Sequence, residues 1–472
     1  MAHRLAALLM GAVVFYAPAD ARDVNASRGT TTRGNAATHS SSSTAKHLAR
    51  QTTRPRASIG NKNKTQQPAG HSATARSRSR STPTAAKSVS HKTPPAVLAP
   101  AKASQAEARL LDIYRLIGSG QMRQALNQAQ GLVDDVPNFQ LAQLVYADLL
   151  SAQTAPLRSF GAAPGHITSF APPDRLSQLR EEATRRIQAL RERPPAGAIP
   201  KQLIELPRSS QHAIAVDASR SRLYLFGNSD QGLRLLADHY VSLGRLGIEK
   251  SVEGDQRTPV GVYFVTSRLD GKKLTDFYGT GALPINYPNE YDKRLGRTGN
   301  GIWLHGVPRE NFARSPNATD GCVVLSNPDL ESLLEQVEPR STPVLISPRL
   351  EWVPPTDLAA TRERARNLLE GWRLARTSGD INRTLSFYSP QFQPGTTDPA
   401  KWRQATELDV ARLKGRSTQI KDLSILSWRD KNEIMVITFG EVLAGQRTGP
   451  IKRQYWSQEN GLWKIIYEGV IG

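Results

Sequence analysis

Between positions 104 and 195 the apolar residues recur at helical spacing. Leu110, Ile113, Tyr114 and Ile117 share a face, Gly118-Ser119-Gly120 interrupts, and Ala125, Leu126, Ala129 and Leu132-Val133 resume the period. Pro137 separates a third run with Leu141, Leu144, Val145 and Leu149, and a charged helix from Gln178 to Arg193 ends at Pro194-Pro195. From Ala213 the pattern changes to short apolar runs bounded by turn residues: Ile214 to Val216, Leu223 to Phe226, Tyr240 to Leu243, Arg257 to Val265, Ile302 to Leu304 and Val344 to Ile346. These read as strands, with one helix expected from Pro328 to Val337. After Pro354-Pro355 a helix from Thr356 to Ser378 carries Leu368, Leu369, Trp372 and Ala375 on one face, and a short second helix runs from Ile381 to Tyr388. Four strands follow, Ile420 to Trp428, Ile434 to Val442, Ile451 to Ser457 and Trp463 to Glu468, linked as hairpins. The expected architecture is multidomain: a helical module over 104–195, a mainly-β domain over 205–350, and an α+β domain over 356–472 whose curved sheet cups a helix.

Composition adds a leader and a tail. Arg4, an apolar run from Leu5 to Tyr16, and Ala19-Asp20-Ala21 form the pattern of an export signal over 1–21. That run is much shorter than the roughly 20 residues of a membrane span, so no transmembrane span is expected after cleavage. The net charge of +20 is concentrated between Arg28 and Lys102, which hold fourteen Lys or Arg and no Asp or Glu. A stretch this polar cannot bury enough apolar surface to offset its ordering entropy, so 22–103 is expected to be a disordered basic linker with weak attraction to anionic envelope polymers. Alternating Arg and Ser at 76–81 resemble an RNA-binding repeat, but export argues against a nucleic-acid partner.

Candidate chemistry centres on Cys322, the only cysteine in 472 residues. In an exported chain an odd cysteine suggests intermolecular pairing or a reactive thiol, and an inert core position on the run Cys322-Val323-Val324-Leu325 is the alternative. A thiolate is the nucleophilic form, and an imidazole beside the thiol can accept its proton to leave a thiolate-imidazolium pair. His305 is the expected base because it ends a strand; His212 and His239, on other strands of the same domain, remain open. The Gly306 carbonyl can orient the imidazole through its second nitrogen. The amides of Gly321 and Cys322 are candidate oxyanion donors. No Gly-rich phosphate loop or metal-ligand cluster is legible, so neither cofactor nor metal is expected.

At these residues the chain resembles the L,D-transpeptidase (YkuD) family. Its pattern reads here as His305-Gly306, then Thr319-Asp320-Gly321-Cys322-Val323-Val324, with support from Thr258-Pro259-Val260-Gly261-Val262-Tyr263 and from Leu283 to Asn289. The resemblance implies a β-rich catalytic fold with Cys322 as nucleophile and His305 as base, acting on peptidoglycan stem peptides in the periplasm or cell envelope. Cys322 would form a thioester with the third residue of a stem peptide. An amine acceptor then gives a cross-link, whereas water gives carboxypeptidase-type trimming or release of wall-linked lipoprotein. Many members carry His where this chain has Asp320, which leaves the acceptor open. Expected substrate contacts are Tyr278, Tyr287, Arg294, Arg314 and Asn317, with Thr319 and Asp320 beside the nucleophile. The C-terminal block resembles SnoaL-like cone domains and is read as a binding or homodimerisation module. The helical segment resembles a single tetratricopeptide repeat. A competing reading is a non-catalytic scaffold that recruits other cell-wall proteins.

Overall fold

A computed structural model of the chain describes residues 105–157, 159–161, 173–392, 394 and 397–471. The leader and basic linker expected over 1–103 lie outside the described residues. Among the described residues no helix is long and apolar enough to cross a membrane.

Helices Gln105–Gly118, Met122–Asp135, Gln140–Ser151 and Pro173–Arg191 form the N-terminal module. The periodic positions Leu110, Ile113, Ala125, Ala129, Leu132, Leu141 and Val145 are its buried core, as the 3.6-residue period requires. One member of that core comes from the neighbouring domain. Phe312 inserts among the helices, with its ring centroid 4.1 Å from that of Phe139. A buried ion network joins the same two bodies: Arg186 contacts Glu107 at 2.7 Å and Glu182 at 2.8 Å, and Arg222 of the β domain reaches Glu107 at 2.6 Å. Burial alone would raise the Glu107 carboxyl, but the two guanidinium groups hold it at about 2.

The central domain has a five-stranded sheet in the order Gly232–Tyr240, Arg222–Ser229, His212–Asp217, Pro343–Ser347, Gly261–Phe264. A second sheet orders Val323–Val324, Trp303–His305, Gly281–Pro284 and Leu269–Asp270. Ile214, Val216, Leu223, Leu225, Leu283, Leu304 and Val323 meet in one core that also receives Leu330 and Leu333 of helix Asn327–Gln336. The other face of the five-stranded sheet, with Ala213, Ala215, Tyr224 and Phe226, packs against Leu426, Trp428, Ile434 and Tyr455 of the C-terminal sheet.

That C-terminal sheet holds the four expected strands, Thr418–Arg429, Glu433–Leu443, Ile451–Glu459 and Leu462–Ile471, curled over helix Ala359–Ser378. Gly379, at φ 82°, ends the helix in the left-handed conformation that glycine adopts without strain. A fifth strand, Leu203–Glu205, comes from the segment before the central domain and pairs antiparallel with Thr418–Arg429. The chain thus crosses between the two sheets, and Arg366 and Arg362 reinforce the join at Glu205 and the Ile204 carbonyl.

Candidate active site

Strand Trp303–His305 runs parallel to Val323–Val324, with Leu304 opposite Val323 and His305 opposite Val324. Extending the register by one residue sets Cys322 opposite Trp303. Side chains alternate along a strand, so Cys322 and His305 share a face and stand diagonally, roughly 8 Å apart at Cα given a rise of ~3.3 Å per residue and a strand spacing of ~4.8 Å. Two side chains directed along that diagonal can meet.

The turn before Cys322 is braced from within. Thr319 Oγ1 donates to the Cys322 carbonyl at 2.8 Å and accepts from the Gly321 amide at 3.1 Å. Gly321 sits at φ 125°, and a Cβ there would lie 2.6 Å from the Arg257 carbonyl oxygen, so only glycine fits. Immediately after the strand, the Ser326 side chain caps helix Asn327–Gln336 by accepting from the Asp329 amide.

His305 is 1% exposed, and its Nδ1 lies 2.7 Å from the Gly306 carbonyl. A carbonyl only accepts, so Nδ1 carries the proton and Nε2 presents a lone pair. Burial lowers the imidazole to about 4; the Gly306 bond opposes the shift and the Arg314 charge adds to it. Burial also raises the Cys322 thiol, against the Trp303 amide, Arg314 and Lys250, with Asp320 raising it further. The thiol donates to the Gly301 carbonyl at 3.4 Å. Burial thus favours the uncharged form of each group near neutral pH, a neutral imidazole and a neutral thiol on one strand face.

Residues 211–346 match the family model of YkuD, the L,D-transpeptidase catalytic domain. The centre of this chain is a YkuD domain. Residues 365–469 match the Cds6 C-terminal NTF2-like domain. Among solved structures, Bd1075 of Bdellovibrio bacteriovorus is similar at 24% identity and a TM-score of 0.50, over 58% of this chain and 98% of that one. The helical cell shape determining protein Pgp2 of Campylobacter jejuni is similar at 24% identity and a TM-score of 0.46, over 57% of this chain and 95% of that one. These likenesses concern the fold. No curated protein matches the chain.

Within the YkuD domain the expected site residues separate into two groups. Tyr278 stays with the pair, its ring edge-on to His305 at 5.1 Å and 4.8 Å from Trp303. Arg314 also stays: its guanidinium lies 4.6 Å from the Phe277 ring centroid and its charge acts on both His305 and Cys322. Asp320 points outward, 73% exposed, taking a hydrogen bond from Gln256 at 3.2 Å and facing Arg245 at 3.8 Å. The others serve elsewhere. Tyr287 is 5% exposed and donates to the Thr298 carbonyl, so it is a core residue rather than a substrate contact. Asn317 donates to Glu181 of the helical module, and Arg294 donates to the Ile466 carbonyl of the C-terminal domain. Thr319 is buried and holds the turn instead of substrate. The Gly321 amide is bonded to Thr319, which removes it as an oxyanion donor and leaves the Cys322 amide as the other candidate. His212 and His239 pair with Glu338 and Asp329, away from the thiol.

Phe277 escaped the sequence reading. It is 47% exposed, yet its centroid is 5.7 Å from His305, so with Tyr278 and Trp303 it walls the imidazole. Its only sequence signal is the Phe277-Tyr278 pair inside an otherwise polar stretch. The helical module reaches the site as well. The loop carrying Arg314 is held by Phe312 in the helical core, by Asn138 donating to the Arg309 carbonyl at 2.9 Å, and by Ser315 donating to Gln178 at 3.2 Å. Tyr240, stacked beneath Arg186 at 3.9 Å, donates its hydroxyl to the Arg314 carbonyl at 2.9 Å.

Proposed function

We propose that the chain is a cell-envelope cysteine acyltransferase acting on peptidoglycan stem peptides. The observation that carries this reading is a buried imidazole whose Nδ1 is held by the Gly306 carbonyl, diagonal to the lone thiol on one strand face of a YkuD domain. As Cys322 Sγ attacks the donor carbonyl, His305 Nε2 takes the thiol proton, and the Cys322 amide faces the developing oxyanion. The tetrahedral intermediate collapses by breaking the C–N bond, and Nε2 returns the proton to the departing amino group. A thioester remains. The acceptor attacks it with His305 again as base, and Sγ leaves with the proton.

Arg314 suits a stem-peptide carboxylate, because a guanidinium offers paired donors to it. Asp320, exposed two residues from the nucleophile, suits an ammonium-bearing acceptor, which favours cross-linking; water in the same place gives trimming. The experiment is incubation of the protein and its Cys322→Ala variant with purified muropeptides, read by mass spectrometry. Loss of product in the variant is expected. Unchanged product would reduce the chain to a wall-binding scaffold, and the masses of the wild-type products separate joined stems from shortened ones.

A further inference from the structure

A base whose orienter is a backbone carbonyl needs that carbonyl to be held, since a peptide plane in a loop can rotate. The Gly306 C=O and the Val307 N–H belong to one peptide plane. That N–H donates to Asn327 Oδ1 at 3.1 Å, on the far side of the plane from the imidazole. The Asn327 Nδ2 donates in turn to the Val307 carbonyl at 2.9 Å, so the one side chain grips both polar groups of Val307. The Thr280 amide donates to the same Oδ1 at 3.3 Å, and the Gly306 amide is held by the Tyr278 carbonyl at 3.0 Å. Two backbone donors facing Oδ1 and one carbonyl facing Nδ2 leave a single orientation of the amide that satisfies all three.

The glycines on either side are shaped to this side chain. A Cβ on Gly306 would lie 2.1 Å from Asn327 Oδ1, and one on Gly279 would lie 2.0 Å from it. Two segments have thus given up their side chains where Asn327 enters. Asn327 is the first residue of the helix that follows the nucleophile's strand, so it stands five positions after Cys322. The base and the thiol are therefore tied through one rigid strand-to-helix connection.

We infer that Asn327 is the positioning residue of this site, fixing the 306–307 peptide so that the Gly306 carbonyl holds His305 in its Nδ1–H tautomer with Nε2 free to accept. This rests on the reading of His305 as the base. Accepting the Val307 N–H also polarises that peptide, which strengthens the carbonyl as an acceptor for Nδ1–H. Without the grip, the plane can turn, Nε2 gains a share of the proton, and the productive tautomer is depleted.

The test uses the full chain labelled with ¹⁵N-histidine, with the His305 signals assigned by their loss in His305→Ala. The wild type should show the Nδ1–H tautomer at neutral pH. Asn327→Ala should shift His305 toward a mixture and lower kcat on the order of 10- to 100-fold with KM nearly unchanged, the size of effect seen when an outer partner of a reacting group is lost. Asn327→Asp keeps an acceptor for the Val307 N–H and should retain the wild-type tautomer. Should Asn327→Ala not fold, Asn327→Ser, whose hydroxyl is too short to reach Val307, replaces it. An unaltered tautomer in the Ala or Ser variant would overturn the inference, whatever its melting temperature. The nitrogen signals need no turnover. If His305→Ala made product at the wild-type rate, the base assignment would fall while the tautomer result still decided the role of Asn327.

Discussion

The site around Cys322 and the interior of the C-terminal sheet both bury ionisable side chains, and they treat them in different ways. Inside the C-terminal domain a buried cluster around Arg376 sets charge against charge. Arg376 contacts both Glu441 and Asp409, Lys452 reaches Glu441 at 3.0 Å and Glu468 at 3.7 Å, and Glu468 also accepts from Gln454 at 2.6 Å and Tyr388 at 3.1 Å. Trp372 lies beneath Arg376 and donates to the Tyr388 hydroxyl. Despite the desolvation that opposes it, Arg376 is held more firmly protonated than usual by these carboxylates. Around Cys322 no carboxylate offsets the burial of His305, and the Arg314 and Lys250 charges do not outweigh that of the thiol, so burial lowers the imidazole and raises the thiol. A satisfied network is fixed and serves structure; an uncharged imidazole on the same strand face as an uncharged thiol suits the proton transfer of the proposed reaction.

Removing the base should give the largest effect. His305→Ala is expected to lower kcat/KM on the order of 10²- to 10⁴-fold, the usual contribution of a general base. The wild-type pH profile sharpens the point. The working form of His305 is unprotonated, so kcat/KM should hold from neutral pH downward and fall only as pH drops through about 4. An acid limb near 6.5, the ordinary histidine value, would mean that burial does not control this imidazole.

The C-terminal network should respond in stability instead. Arg376→Leu leaves Glu441 with Lys452 and Asp409 with Arg412 as their remaining cations, so the loss should fall at the low end of that for breaking a buried pair, about 3 kcal/mol. Urea unfolding measures that loss, while activity per folded molecule should stay near wild type. A large fall in kcat at full occupancy of the folded state would instead tie the C-terminal interior to the chemistry. The smallest effect lies on the far side of the site from the C-terminal network, at the Phe312 wedge in the helical module that holds the Arg314 loop. Phe312→Ala empties the site filled against Phe139, and KM should rise on the order of 10-fold with kcat held, because a loosened Arg314 misplaces bound substrate. An unchanged KM would separate the helical module from substrate binding.

Much of this was readable in the chain. The helical period of Leu110 to Val145 and the alternation of the four C-terminal strands each lie within a window of about ten residues, where side-chain direction follows from local geometry alone. The His305-Gly306 and Gly321-Cys322 steps were likewise visible, because special backbone conformations demand special residues. What misled was nearness in sequence. Asn317 stands five residues from Cys322 and faces a helix of another module, while Tyr287 faces the core. Phe277 carries only a faint local mark and Asn327 none, yet one packs on the His305 ring and the other holds the Val307 amide next to it.

The sequence by itself determined which groups can do chemistry here: one thiol, a histidine at a strand end with a glycine after it, and a glycine where no side chain fits. Whether those groups are charged was decided only by the tertiary structure. Protonation depends on what excludes water and which charges stand close, and two of those neighbours, Arg314 and Phe277, come from segments outside the histidine's own strand. Strand Leu203–Glu205 shows the same rule for the fold, since it completes a sheet formed more than two hundred residues later. Local pattern sets an element's form, and burial against the rest of the chain sets its partner.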